Sequence, residues 1–278
     1  MSEQTLPTLE RPLHLLGFFT MEQPAWTLTE LARASGLPKA SCLRAIRVLE
    51  KHALLKRDGD RYRLGARFIY FGRIVQDSYP PRRVALPYLE KLRDVIGNTT
   101  QWAVLDGEEA VYTDVIPARS VIRLYNNPGR HIPLYTGASA RLLLAFAPHT
   151  VRAAVLRRPR HAYTPATPTA EDPLRALLNV TQRTWLAASF GEYVEHSAEV
   201  AAPVFGTHGQ LVAAISIGTA AAQYETRDVL LRDLYALSDT ACEISIALGY
   251  TGPWLADPLA FADTLDEQHQ LLTRPHGH

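Results

Sequence analysis

Cysteine is scarce in this 278-residue chain: there are two, Cys42 and Cys242, far apart in sequence. Cys42 sits on an apolar helical stripe, which makes it a small hydrophobe rather than half of a disulfide. A reducing, cytoplasmic setting is the expectation. No apolar run approaches the roughly 20 residues that span a bilayer. The opening MSEQTLPTLERPLHLLGFF has no basic region ahead of its apolar part, which argues against a signal peptide. The signatures GxSxG, P-loop, HExxH and GxGxxG do not occur. The nearest approach to a metal cluster is His196 after Glu192 and Glu195, a grouping more typical of a polar surface. The chain therefore reads as a protein without catalytic, cofactor or metal machinery.

What is present divides in two. The length favours two compact domains. Residues 1–75 hold 12 Lys/Arg against 7 Asp/Glu, while the remainder holds 17 against 21. A basic first part joined to a mildly acidic second part suits an anionic partner for the first part alone.

The first part reads as three helices and a hairpin. A mixed apolar pattern over 11–21 opens after Pro12, a favourable first-turn residue. Thr27 with Glu30 has the form of a capping box for a helix to about Ala34. Gly36 supplies a turn, and Pro38 opens a helix running to about His52. In that helix Cys42, Ala45, Ile46 and Leu49 form a core stripe. The opposite side carries Lys39, Ala40, Ser41, Leu43, Arg44 and Arg47. Residues 54–64 then form two short runs around Asp58-Gly59, a hairpin signal. Helix, glycine turn, helix and hairpin is the layout of a winged helix-turn-helix, whose second helix enters the major groove. Arginine pairs with guanine O6 and N7 together, and lysine and serine hold phosphates. Arg57, Arg61 and Arg63 place positive charge on the wing.

Residues 64–79 read as a connecting helix carrying Phe68, Phe71, Ile74 and Val75. Phe68, Phe71 and Ile74 are either a dimer seam or packing against the first helix. The prolines at 79–83 mark a boundary. Beyond it a helix over 84–96 precedes strand-like runs at 100–106, 109–116 and 120–126. Helical patterns follow at 138–147, 149–157 and 172–183, then strands at 185–190, 199–205 and 211–218, and a helix over 224–248. Strands in blocks around a block of helices indicate an α+β domain with a mainly antiparallel sheet. The expected domains are 1–64, a linker helix at 65–80, 81–250, and a tail poor in pattern at 251–278.

Residues 28–65, LTELARASGLPKASCLRAIRVLEKHALLKRDGDRYRLG, resemble the N-terminal domain of the IclR family of bacterial transcriptional regulators. GRHIPLYTGASARLLLAF and EVAAPVFGTHGQLVAAISIG are similar to that family's effector domain. The resemblance runs from about Pro12 to Leu248. It implies a GAF-like domain binding a small organic or aromatic metabolite, and dimers or tetramers on palindromic double-stranded operators. It implies DNA contacts at Lys39, Ser41 and Arg44, and an effector pocket at Gly137, Ala138, Ser139, Glu199, Ser216 and Gly218, with Leu124 and Ile132 as its apolar wall.

Three positions depart from the family pattern. Leu43 stands where a polar residue is usual, which alters base preference. Ala53 replaces a common glycine and costs about 1 kcal/mol if the backbone there needs a positive φ. Glu199 stands where an apolar residue or cysteine is common. It either enters the pocket, favouring an effector with a donor or positive group, or points to solvent from an edge position. The TGAS segment is likewise either a seat for a carboxylate on free helix N–H groups or a turn with a helix cap. The function expected is sequence-specific regulation of transcription under effector control. The alternatives are a sensor acting through protein partners, which differs from it in the salt dependence of DNA binding, and, behind that, an enzyme of the C-terminal domain.

Overall fold

The computed structural model describes residues 7–78, 80–119, 127–224 and 226–267. The chain divides into two compact units, Met1–Tyr79 and Pro80–His278.

In the first unit the order is α1 (Pro7–Leu16), β1 (Ala25–Thr27), α2 (Leu28–Ser35), α3 (Lys39–Lys51), β2 (Leu55–Asp58), β3 (Arg61–Leu64) and α4 (Arg67–Asp77). The capping box is formed: Thr27 Oγ1 accepts from Glu30 N at 3.2 Å, and Thr27 N donates to the Glu30 carboxylate at 2.8 Å. Leu15, Leu31, Cys42, Ile46, Leu49, Leu55 and Tyr62 make one core. Each fully buried leucine or isoleucine in it contributes about 1.5–3 kcal/mol. Burial also pushes the Cys42 thiol up, so it stays a neutral hydrophobe.

Two expectations for this unit need correction. The first helix starts at Pro7, so Pro12 lies inside it and forfeits the bond its N–H would have made. A third strand, β1, pairs antiparallel with β3 and completes a sheet in the order β1-β3-β2.

The second unit runs α5 (Pro80–Ile96), β4 (Thr99–Asp106), β5 (Glu109–Ile116), β6 (Arg130–Pro133), α6 (Ala138–Phe146), α7 (His149–Arg157), α8 (Glu171–Thr184), β7 (Ala187–Phe190), β8 (Ser197–Phe205) and β9 (Leu211–Ala220). A single 3-10 turn (Ala221–Tyr224), α9 (Arg227–Ala247) and α10 (Pro258–Glu267) follow. Six strands form one antiparallel sheet in the order β6-β5-β4-β9-β8-β7. The α+β architecture expected for this unit is present.

Strand alternation assigns the sheet's two faces. Trp102, Val200 and Ile217 share one face with Thr100 and Asp114. That face is covered by α5 and α9. Thr100 Oγ1 donates to Leu89 O of α5, and Arg82 of α5 forms an ion pair with Asp114. The other face carries Gln101, Ala103, Tyr112, Glu199, Ala201, Ser216 and Gly218, and α6 lies against it, backed by α8. Residues 138–145 of α6 are all buried, as expected of a helix enclosed on every side.

The helix expected over 224–248 is α9, which begins at Arg227 after the 3-10 turn. In the region read as a patternless tail, α10 buries Phe261, Ala262 and Leu265 and packs on α8 and α9. Strand β6 was not foreseen, and α5 begins at Pro80 rather than residue 84, because a first-turn proline gives up no needed N–H. The strand expected at 120–126 lies outside the described residues.

Candidate functional site

In the first unit the candidate nucleic-acid surface is built by α2, α3 and the β2–β3 hairpin. α2 ends on Gly36 in the left-handed conformation (φ +68°), which turns the chain into α3. Cys42, Ala45, Ile46 and Leu49 are buried, as their spacing predicts, and this orients the rest of α3 outward. Lys39, Ala40, Arg44 and Arg47 are exposed, and Ser41 and Leu43 are half-buried beside them. Arg44 Nη2 donates to Ser41 Oγ at 3.1 Å, so the two polar groups share one spot on the surface.

The wing arginines are less free than the sequence suggests. Arg57 donates to Gly59 O at 2.9 Å, and Arg63 pairs with Asp58 at 3.2 Å. Arg61, the first residue of β3 after the hairpin turn, reaches back to Glu30 at 3.6 Å and to Ala25 O at 3.3 Å. Its charge is thereby shared with the α2 capping box, where the Thr27 N–H already holds the Glu30 carboxyl below its usual range.

In the second unit a cavity of about 170 Å³ lies between the sheet face under α6 and the segment joining β7 to β8. Gln101, Tyr112, Ile132, Ser189, Glu199 and Gly218 line it from the sheet, and Gly137, Tyr193 and Val194 from the connecting segments. Of the residues expected there, Ile132, Gly137, Glu199 and Gly218 line the cavity. Ala138 and Ser139 act through Glu199. Ser216 is buried in the same sheet face, and its Oγ has no hydrogen-bond partner. Leu124 lies outside the described residues. Gln101, Tyr112, Ser189 and Tyr193 were not expected. Alternation along β4 places Gln101 opposite Trp102, and a β-bulge in the β4–β5 pairing at Trp102/Ala103 turns Tyr112 to the face of Ala103.

Glu199 enters the cavity side of the sheet rather than solvent. Strand pairing sets it between Ser189 and Gly218. One carboxylate oxygen accepts from Ala138 N at 2.8 Å and Ser139 N at 3.4 Å. The other accepts from Ser139 Oγ at 2.6 Å and Tyr112 Oη at 2.9 Å. The start of α6, with its free N–H groups and positive dipole end, thus holds this carboxylate. Burial, and then the charge of Glu199, push the Tyr112 phenol well above its ordinary value, so it remains a donor.

A second carboxylate serves the same turn. Glu192 accepts from Gly137 N at 3.1 Å and pairs with Arg141, whose other nitrogen donates to Ala188 O. Arg141 and Glu192 are both buried, and burial raises the Glu192 carboxyl against the pull of Arg141. This pair ties the β7–β8 segment to α6, which keeps Tyr193 and Val194 at the cavity. Among the described residues no group of three His, Cys, Asp or Glu is placed to hold a metal.

The same two units appear in known proteins. Residues 8–59 match the IclR helix-turn-helix domain, and residues 75–246 match the family described as bacterial transcriptional regulator IclR C-terminal. The HTH-type transcriptional regulator KipR of Bacillus subtilis is 33% identical over 247 residues, 88% of this chain and 98% of its own. The transcriptional repressor IclR of Escherichia coli is 27% identical over 215 residues, 76% of this chain and 78% of its own. The crystal structure of an IclR transcriptional regulator from Alicyclobacillus acidocaldarius superposes with a TM-score of 0.77 at 26% identity, over 88% of this chain and 100% of that one. An IclR homolog from Microbacterium hydrocarbonoxydans complexed with 4-hydroxybenzoate gives 0.74 at 25% identity, over 87% and 98%. With both domains matched in order and the relatives aligned nearly end to end, the chain belongs to the IclR family of bacterial transcriptional regulators, a helix-turn-helix DNA-binding domain followed by an effector-binding domain.

Proposed function

We propose that a dimer of this chain binds a palindromic operator, and that a small organic molecule in the α6 cavity sets the affinity. The single observation that carries this reading is the outer face of α3, where Lys39, Ser41, Arg44 and Arg47 stand together on a helix whose other side is locked into the core. In this reading Arg44 and Arg47 read base edges, Lys39 and Ser41 hold phosphates, and Leu43 contacts the groove wall. Arg61 contributes beside the turn of the wing. Two copies of α3 then lie in successive major grooves, one helical turn or a multiple apart.

Support for a dimer comes from α4, where Ile69, Tyr70, Phe71, Ile74 and Val75 are exposed in the single chain. Apolar side chains so concentrated on one helix suit burial against a second copy. We assign 1–64 to DNA binding, 65–80 to the connection and 81–250 to the effector domain, which α10 extends. The effector is a ring-sized metabolite, of the size of the 4-hydroxybenzoate bound by the Microbacterium relative. The protein acts in the cytoplasm and catalyses no reaction. A tenfold effect of the effector on operator affinity needs about 1.4 kcal/mol of coupling.

The test is fluorescence anisotropy of the whole protein on duplex DNA from upstream of its own gene, titrated over salt. The expected result is two chains per duplex, tighter binding than to a random duplex, and a steep negative salt slope. Weak, sequence-blind binding would refute the reading in favour of a sensor that acts through protein partners.

A further inference from the structure

We infer that Glu199 is the residue that sets ligand charge in this cavity: the chain's own carboxylate fills the seat an acid would use, so the cavity selects uncharged or cationic ring-sized molecules and rejects carboxylates. This deepens the reading of the cavity as the effector site and rests on it. A helix start with an N–H pair, a serine hydroxyl and a tyrosine hydroxyl converging on one point is an anion seat. Here all four donors, Ala138 N, Ser139 N, Ser139 Oγ and Tyr112 Oη, already serve Glu199. Each oxygen receives two of them, which uses the roughly four acceptor sites a carboxylate has.

The backbone is shaped around this arrangement. Gly137 has φ +81°, and a Cβ there would lie 3.3 Å from the Glu199 oxygen. Among the described residues lining the cavity, Glu199 alone carries a charge. Among the described residues, two nearby guanidinium groups are engaged elsewhere: Arg141 with Glu192, and Arg130 stacked 4.9 Å over the Tyr193 ring with a bond to its hydroxyl. An acid entering the cavity meets a negative charge with the seat's donors taken and no cation among the described lining residues. A neutral or positive molecule of the same shape meets no such barrier.

The test is calorimetric titration of the whole protein with benzamidine, benzamide and benzoate, three molecules of one shape carrying positive, zero and negative charge. Their ring suits the space, since a cavity of about 150 Å³ accepts benzene. The wild type binds benzamidine at least tenfold more tightly than benzoate. In Glu199→Ala the order inverts, because benzoate takes the vacated donors and gains at least tenfold. Glu199→Gln keeps the shape without the charge, and benzamidine loses its advantage over benzamide. It carries the test if the alanine variant fails to fold, as checked by its melting curve. A residue that only caps α6 would change stability and leave the ligand order alone.

The inference is overturned if the wild type binds benzoate as tightly as benzamidine, if the order ignores both substitutions, or if the folded variants and the wild type bind none of the three. Should the order follow Glu199 while operator affinity stays constant, the ligand preference stands and effector control of DNA binding fails. Operator affinity that responds to ligand with an order blind to Glu199 is the reverse case.

Discussion

Ala53 closes the turn between α3 and the wing with φ +56°, in the left-handed region. Its N–H donates to Glu50 O at 2.9 Å, and the next N–H, of Leu54, donates to Leu49 O at 2.8 Å. The turn cannot relax toward negative φ without breaking both bonds. A left-handed alanine costs about 1–2 kcal/mol through the clash of its Cβ with the following carbonyl. Glycine removes that strain but enlarges the unfolded ensemble, which costs about 0.4–1 kcal/mol. The net for Ala53→Gly is a gain of about 0.5–1 kcal/mol. In a domain the size of the first unit, this raises the melting temperature by about 2–8 °C. Calorimetry of the whole protein reads the shift, and hydrogen exchange in peptides from 28–64 assigns it to the first unit. Ala53→Val is the control and falls in stability, since a β-branched residue tolerates this φ worse. A glycine variant no more stable than wild type, or less stable, refutes the strain argument.

Two further substitutions follow. Gly65→Ala places a Cβ 2.1 Å from Ala53 O, a backbone atom that cannot move without opening the same turn. The loss falls at or above the upper end of the about 1–3 kcal/mol range for overpacking, and the wing detaches; melting and operator binding both fall, and an unchanged variant contradicts the geometry. Asp233 is buried on α9, where burial raises its carboxyl against the hydrogen bonds from Arg232. A carboxyl raised in the folded state contributes stability that is complete below its unfolded value and is lost as pH rises through the folded one. Asp233→Asn removes this loss, so the melting temperature of the variant relative to wild type climbs as pH rises above the ordinary aspartate value of about 4. A flat or falling difference would show that Arg232 outweighs burial.

Much of the DNA-binding unit was legible because its signals are local. The stripe Cys42, Ala45, Ile46, Leu49 and the Thr27–Glu30 box each involve residues within two helical turns, and both are present as read. Strand β1 escaped notice because three residues at a sheet edge carry too little alternation, and its partner β3 lies more than thirty residues on. Arg61 was placed on the wing correctly, but a long side chain is free to swing, and it finds Glu30 rather than open solvent. The stripe Phe261, Ala262, Leu265 in α10 has helical spacing, yet it spans little more than one turn and so resembled a tail.

The cavity shows the same divide more sharply. Alternation along β8 puts Glu199 on the face of Ala201, but nothing in that strand says which face α6 covers. The contact of Glu199 with Ala138 and Ser139 joins residues about sixty apart in sequence. It comes into being only when the sheet order brings β8 beside β9 and lays α6 across them. The departure of Glu199 from the family pattern marked it as unusual; the register of the sheet explains how a carboxylate is tolerated there.

The central claim is that the outer face of α3 reads DNA, and Arg44 sits at the middle of that face. The decisive measurement is the affinity of Arg44→Ala for the operator duplex and for a scrambled duplex, side by side with wild type. Loss of one bidentate guanine contact costs about 1–3 kcal/mol on the operator, a fall of roughly 5- to 150-fold, with a far smaller effect on scrambled DNA. Equal loss on both duplexes would make Arg44 a phosphate anchor only, and unchanged affinity on both would contradict the assignment of α3 as the reading helix.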